Sequence, residues 1–68
     1  MQYRIYSKAG VDHGVYEAHS ADHAFVRMCQ EAGYYVTIDD AGTITYPDSD
    51  TRDLCGLPSA WDILPDES

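Results

Sequence analysis

Residues 3–33, YRIYSKAGVDHGVYEAHSADHAFVRMCQEAG, decide the fold. Tyr3-Arg4-Ile5-Tyr6-Ser7 alternates and is rich in strand-forming residues, so it reads as a first strand. Lys8 to Gly14 holds two glycines, Asp12 and His13, which suits a loop. Val15-Tyr16-Glu17-Ala18-His19 reads as a second strand. One register buries Tyr3 and Ile5 with Tyr16 and Ala18 and leaves Arg4 and Glu17 in water. The other buries Tyr6 and Val15 instead, because a one-residue slip exchanges the two faces.

The helix that follows carries its own start, period and stop. Ser20 has the hydroxyl of an N-cap, and Asp22 stands in the first turn, where the helix dipole favours a carboxylate. Ala21, Ala24, Phe25, Met28 and Ala32 make one apolar stripe at the helical period. Cys29 flanks the stripe, while Asp22, His23, Arg27, Gln30 and Glu31 fill the other side. Gly33 comes where a left-handed residue ends many helices. The spacing predicts a helix over 21–32, with Phe25 and Met28 as its large anchors in an otherwise alanine-rich seam.

Working outward, Tyr34-Tyr35-Val36-Thr37-Ile38 reads as a third strand with Val36 and Ile38 inward. Asp39-Asp40-Ala41-Gly42 is a turn signal, Thr43-Ile44-Thr45-Tyr46 a fourth strand, and Pro47 its stop. The expected order is ββαββ: an α+β fold with a four-stranded antiparallel sheet and one helix on one face. Asp48 to Asp53 reads as a polar loop. Ser59 and Asp62 resemble a capping box, which predicts a helical turn over 59–64. Leu54, Leu57, Trp61, Ile63 and Leu64 then either cover the second face of the sheet or leave Trp61 in an exposed patch for a partner. The organisation expected is a single domain over 1–65 and a frayed acidic end at 66–68.

The chain has 68 residues, 44% of them apolar, with six tyrosines among eight aromatics. A domain this short buries only about 60% of its unfolded surface, so its stability is expected to be modest. Met1-Gln2-Tyr3-Arg4 runs straight into an alternating strand rather than an apolar leader, and no stretch is long enough to span a bilayer. The expected location is the cytoplasm, and Cys29 and Cys55, too few for a disulfide scaffold, are expected as reduced thiols.

Charge is the most informative feature of the composition. The net charge is −8. Residues 1–34 carry four acids against three bases, for −1; residues 35–68 carry eight acids against Arg52 alone, for −7. Such a balance argues against direct binding of DNA, RNA or an anionic membrane, all of which call for basic patches. It either serves to keep a small protein soluble and monomeric or points to a basic partner, which fixed carboxylates attract and steer.

Motifs for chemistry are weak. Asp48-Ser49-Asp50-Thr51-Arg52-Asp53 starts like a calcium loop, but Arg52, Asp53 and Ser59 stand where an oxygen ligand, glycine and glutamate are needed. His13, His19, His23, Cys29 and Cys55 are ligand types for zinc. However, there is no C-x2-C pair, and His19 precedes the helix that holds His23. Cys29 with His13 or His23 is a poor nucleophile pair, since Cys29 lies away from the helix N-terminus that would activate it. Asp39 and Asp40 sit on an open turn, where nothing tunes a carboxyl for acid–base work. The sequence therefore suggests no enzyme, no cofactor and no metal.

In size, acidity and layout the chain resembles the small phage-encoded inhibitors of bacterial defence, including anti-CRISPR proteins. The likeness extends over the whole chain and transfers no individual residue. It implies a protein that occupies a nucleic-acid site on its target. The ββα opening is also similar to small bacterial α+β modules, some of which are antitoxin or adaptor domains. The first reading is thus a module that binds a basic, nucleic-acid-handling protein through Asp39, Asp40, Asp48, Asp50 and Asp53, with Asp62 and the aromatics Tyr34, Tyr35 or Trp61 as anchors. The second is an antitoxin-like or adaptor module that works as a homodimer through edge strands. A metal- or thiol-dependent enzyme comes third. The chain itself is expected as a monomer or homodimer.

Overall fold

A computed structural model describes residues 1–66; Glu67 and Ser68, most of the expected frayed end, lie outside the described residues. The elements are β1 (Gln2–Ser7), β2 (Asp12–Glu17), α1 (Ala21–Glu31), β3 (Thr37–Ile38), β4 (Ile44–Thr45), α2 (Ser49–Cys55), a 3-10 turn (Pro58–Ala60) and β5 (Trp61–Pro65). The fold is α+β, but its strands do not form one four-stranded sheet. β2, β1 and β5 make a three-stranded antiparallel sheet with β1 in the centre, and β3 and β4 pair separately as a two-stranded ribbon.

Two local expectations are corrected with it. Residues 49–53 are helical rather than a loop, with Asp48 as their cap. The Asp48 carboxylate accepts from the Thr51 N–H at 2.7 Å and caps α2, and Asp50 follows in its first turn. Asp and Ser favour turns, but the same side chains start helices when one of them takes the N-cap position. Residues 61–64 are a strand rather than a helical turn. Pro58 opens only a 3-10 turn, after which Trp61 and Ile63 face the core and Asp62 and Leu64 face away. That alternation has period two, and β1 offers an open edge for it. No capping box forms, since Asp62 lies in β5. Leu54, Leu57 and Leu64 are exposed and do not cover the second face of the sheet.

The stretch that decides the fold keeps its expected order of hairpin then helix, but the second strand runs over Asp12–Glu17 rather than 15–19, so Asp12, His13 and Gly14 belong to the strand and not to the loop. Tyr3 pairs with Tyr16, and Tyr3 and Ile5 are buried with Tyr16 and Ala18 packed beside them, so the first of the two registers is the one adopted. The pairing slips opposite Ile5, where His13 and Gly14 form a bulge between Arg4 and Tyr6. Ser20 accepts from the His23 N–H at 3.3 Å. At the other end the Gly33 N–H donates to the Gln30 carbonyl and the Tyr34 N–H to the Cys29 carbonyl, with Gly33 at φ 97°. Those two bonds and that left-handed residue are the Schellman ending, which satisfies carbonyls that the helix leaves free.

α1 packs against β1, β2 and β5, and its buried face is wider than the alanine-rich stripe. Ala24, Phe25, Val26, Met28 and Cys29 are all buried, and Ala32 is exposed. Ile5, Val36 and Cys55 complete the core, with Trp61 and Ile63 packed against it. The tip of the second hairpin repeats the first. The Ser7 and Asp39 N–H groups each donate to the carbonyl of the residue four ahead, each side chain accepts from that residue's N–H, and each carbonyl accepts from a glycine, Gly10 or Gly42. Among the described residues no helix is long and apolar enough to cross a membrane.

Candidate functional site in the acidic segment

The segment after α1 holds the carboxylates singled out by charge, and local structure sorts them into two groups. Asp39 and Asp48 are committed to the backbone. One Asp39 oxygen accepts from the N–H groups of Ala41 at 3.0 Å and Thr43 at 2.8 Å, which closes the β3–β4 turn. Asp48 caps α2, and the bond from the Thr51 N–H holds its carboxyl below the usual aspartate range. Both carboxylates are therefore fixed in place but remain exposed. Asp40 at the hairpin tip and Asp50 and Asp53 on α2 are exposed and have no such anchor. Asp50 and Asp53 are three residues apart on one helix and so lie on neighbouring positions of its surface.

Ion pairing divides the molecule in the same way. Arg4 bonds Asp12 at 2.7 Å and lies 3.6 Å from Asp66, Lys8 reaches Asp62 at 3.1 Å, and the Met1 ammonium meets Glu17 at 2.8 Å. Asp12 is further held below its ordinary value, first by the Gly14 N–H and then by Arg4. Every one of these pairs decorates the three-stranded sheet or its flanks. Among the described residues, none involves Asp39, Asp40, Asp48, Asp50 or Asp53. The three-stranded sheet pairs its own charge and the β3–α2 segment does not.

The remaining candidates fall on different ground. Tyr35 is 83% exposed, the most exposed of the large apolar side chains. Trp61 is half-buried: its indole N–H donates to the Cys55 carbonyl at 2.9 Å, and its ring meets that of His13 edge-on at 4.8 Å. Asp62 is across the sheet in the Lys8 pair. Tyr34 is half-buried beside the core. Asp39 and Asp40 thus lie on the β3–β4 turn, Asp48 at the cap of α2 and Asp50 and Asp53 within it, while Trp61 and Asp62 lie on β5.

The chain was compared with known protein families, with curated proteins and with solved structures. It matches none of them.

One further grouping lies outside the acidic segment. His19 lies in the connection between β2 and α1 and His23 in α1, yet their rings lie 5.8 Å apart at a near right angle, and Ser20 Oγ is 2.8 Å from His23 Nδ1. With Arg27 and Ile38 they line a cleft of about 480 Å³ between β2 and α1. Arg27 also donates to the Glu17 carbonyl at 3.1 Å across this cleft. The i, i+4 spacing of the histidines was the available signal, but only the turn at Ser20 folds His19 back over the first helical turn. Among the described residues, no three His, Cys, Asp or Glu side chains gather as a metal-binding group. Cys29 is buried, and burial together with the neighbouring Cys55 pushes its thiol up to about 12, away from the activated range.

Proposed function

We propose that this protein is a small acidic binding module that occupies a basic, nucleic-acid-handling surface of a partner protein and competes there with nucleic acid, in the manner of the phage inhibitors it resembles. The observation that carries the reading is the division of charge. The carboxylates of the three-stranded sheet are matched by Arg4, Lys8 and the Met1 ammonium, whereas among the described residues five aspartates on the β3–α2 segment have no basic partner. Two of the five are held rigidly by backbone N–H groups. Fixed, unpaired carboxylates present a negative field to a basic groove without first giving up an ion pair of their own. Tyr35, four residues before Asp39 in the chain, supplies an exposed aromatic of the kind interfaces favour.

The experiment is capture from a bacterial lysate on the immobilised protein at two salt concentrations, with the variant D40N/D50N/D53N in parallel. Between about 0.01 and 0.15 M salt the Debye length falls from about 30 to about 8 Å. Nucleic-acid-binding proteins should be retained at low salt, released at the higher salt or by added duplex DNA, and lost to the triple variant. Retention that ignores salt and survives the triple substitution overturns the reading.

A homodimeric adaptor is the second reading, and one observation favours it. β2 and β5 are the outer strands of the three-stranded sheet, with Val11 and Leu64 exposed beside them. Sedimentation separates the two readings: a salt-insensitive dimer at micromolar concentration supports the adaptor, and a monomer supports the inhibitor.

A further inference from the structure

The two helices each bring one thiol to the same place. Cys29, in the second half of α1, is 2% exposed, and Cys55, the last residue of α2, is 6% exposed. Both are free, both belong to one core cluster, and both line one cavity of about 140 Å³. Leu54, on the rim of that cavity, is 69% exposed, so the cavity lies directly beneath the surface. Cys55 adds to the upward push that burial exerts on the Cys29 thiol. α2 buries only Thr51 and Cys55, so a small shift that brings the sulfurs to bonding distance disturbs little packing.

The geometry points to Cys29 and Cys55 as a site of reversible oxidation that closes to an intramolecular disulfide between α1 and α2. The oxidant is of the peroxide class. The Cys55 sulfur, the less covered of the two, takes one oxygen as the O–O bond breaks and becomes a sulfenic acid, and the other oxygen leaves as water. The Cys29 sulfur then attacks the Cys55 sulfur. The S–O bond breaks, the S–S bond forms, and the second oxygen leaves as water with the proton from Cys29. Two thiols and one peroxide become one disulfide and two waters. The loop so closed carries Asp39, Asp40, Asp48, Asp50 and Asp53, so oxidation pins the acidic segment to the core. This consequence for binding rests on the proposed function; the disulfide itself does not.

The test treats the reduced full chain with hydrogen peroxide near neutral pH, then measures intact mass, alkylatable thiols after denaturation, and Tm. The expected product is a monomer lighter by two hydrogens, with no alkylatable thiol. It should melt about 10 °C higher than the reduced chain and return to the starting mass with a thiol reductant. The variants C29S and C55S should each keep one thiol and form no monomeric disulfide. Three results overturn the proposal: added oxygen with no cross-link, disulfide-linked dimers alone, or two unchanged thiols in the folded wild type. The wild-type arm decides the matter whether or not the variants fold. Lysate capture by the oxidised and reduced forms then reads the binding consequence separately, so a failed capture leaves a mass loss intact as a result.

Discussion

Phe25 is the residue on which the core turns. It is fully buried in the middle of α1, with Ile5, Val26 and Val36 as the other large side chains wholly removed from water. Replacing it by alanine should cost about 3–5 kcal/mol. In a chain of this size that loss approaches the whole stability, so denaturant titration of Phe25→Ala should show an unfolded or barely folded protein. Cys29 adds a pH signature at the same scale. Its thiol is raised from 9.0 to about 12, foremost by burial. Between those values the unfolded chain releases a proton that the folded chain keeps, so its contribution to stability is complete below about pH 9 and declines as the pH rises toward 12. A series of denaturation curves at alkaline pH should show that decline, and Cys29→Ala should flatten it. Phe25 was plain from its helical spacing. Val26 was not, because the stripe at positions i, i+3 and i+4 omits it, and only the second hairpin, bringing Val36 against the core, makes that side of the helix an inner one.

At the scale of the element, the two ends of α1 and the turn after β3 were legible because each is a local arrangement of a few atoms. Gly33 sits at φ 97° with nothing within 4 Å of where a Cβ would stand, so its requirement is conformational and not steric. Gly33→Ala should therefore cost about 1–2 kcal/mol, the price of a left-handed alanine, and Ser20→Ala at the other end about 1 kcal/mol. Thermal denaturation of each variant checks both. β5 is the contrary case. Trp61-Asp62-Ile63-Leu64-Pro65 is short and ends in proline, so little in it speaks for a strand. It becomes one because β1 has an unfilled edge and Trp61 and Ile63 have a core to enter. A chain ending at Leu57 should lose the cooperative melting transition, since it forfeits that ladder together with both side chains. Circular dichroism on heating would show it. α2 was hidden for another reason: aspartate, serine and threonine suit a loop and a helix start equally well.

For the whole molecule, the decisive quantity is charge that has no partner. A net charge of −8 on 68 residues repels itself, and the pairs on the three-stranded sheet relieve only part of it. Added salt should raise Tm by screening the rest, and D40N/D50N/D53N should already melt higher at low salt and gain less from salt than the natural chain. A Tm that is flat with salt in both proteins would mean that the unpaired carboxylates cost the fold nothing. The asymmetry of charge along the chain was readable in advance. Its sorting into paired and unpaired carboxylates was not, because Lys8 meets Asp62 and Arg4 meets Asp66 only after β5 has crossed the length of the chain to lie beside β1.

The order of residues alone determined the helix over α1, the turn at the tip of the second hairpin and the excess of acid in the second half, while the inward face of the first hairpin was left between two registers. What that order determined follows from neighbours a few positions apart. Tertiary structure decided which strand lies beside β1, that the β3–β4 ribbon stands apart from the main sheet, and which carboxylates keep a cation. Those outcomes depend on which open edge and which apolar face are nearest once the chain has collapsed, and no local stretch of sequence contains that information.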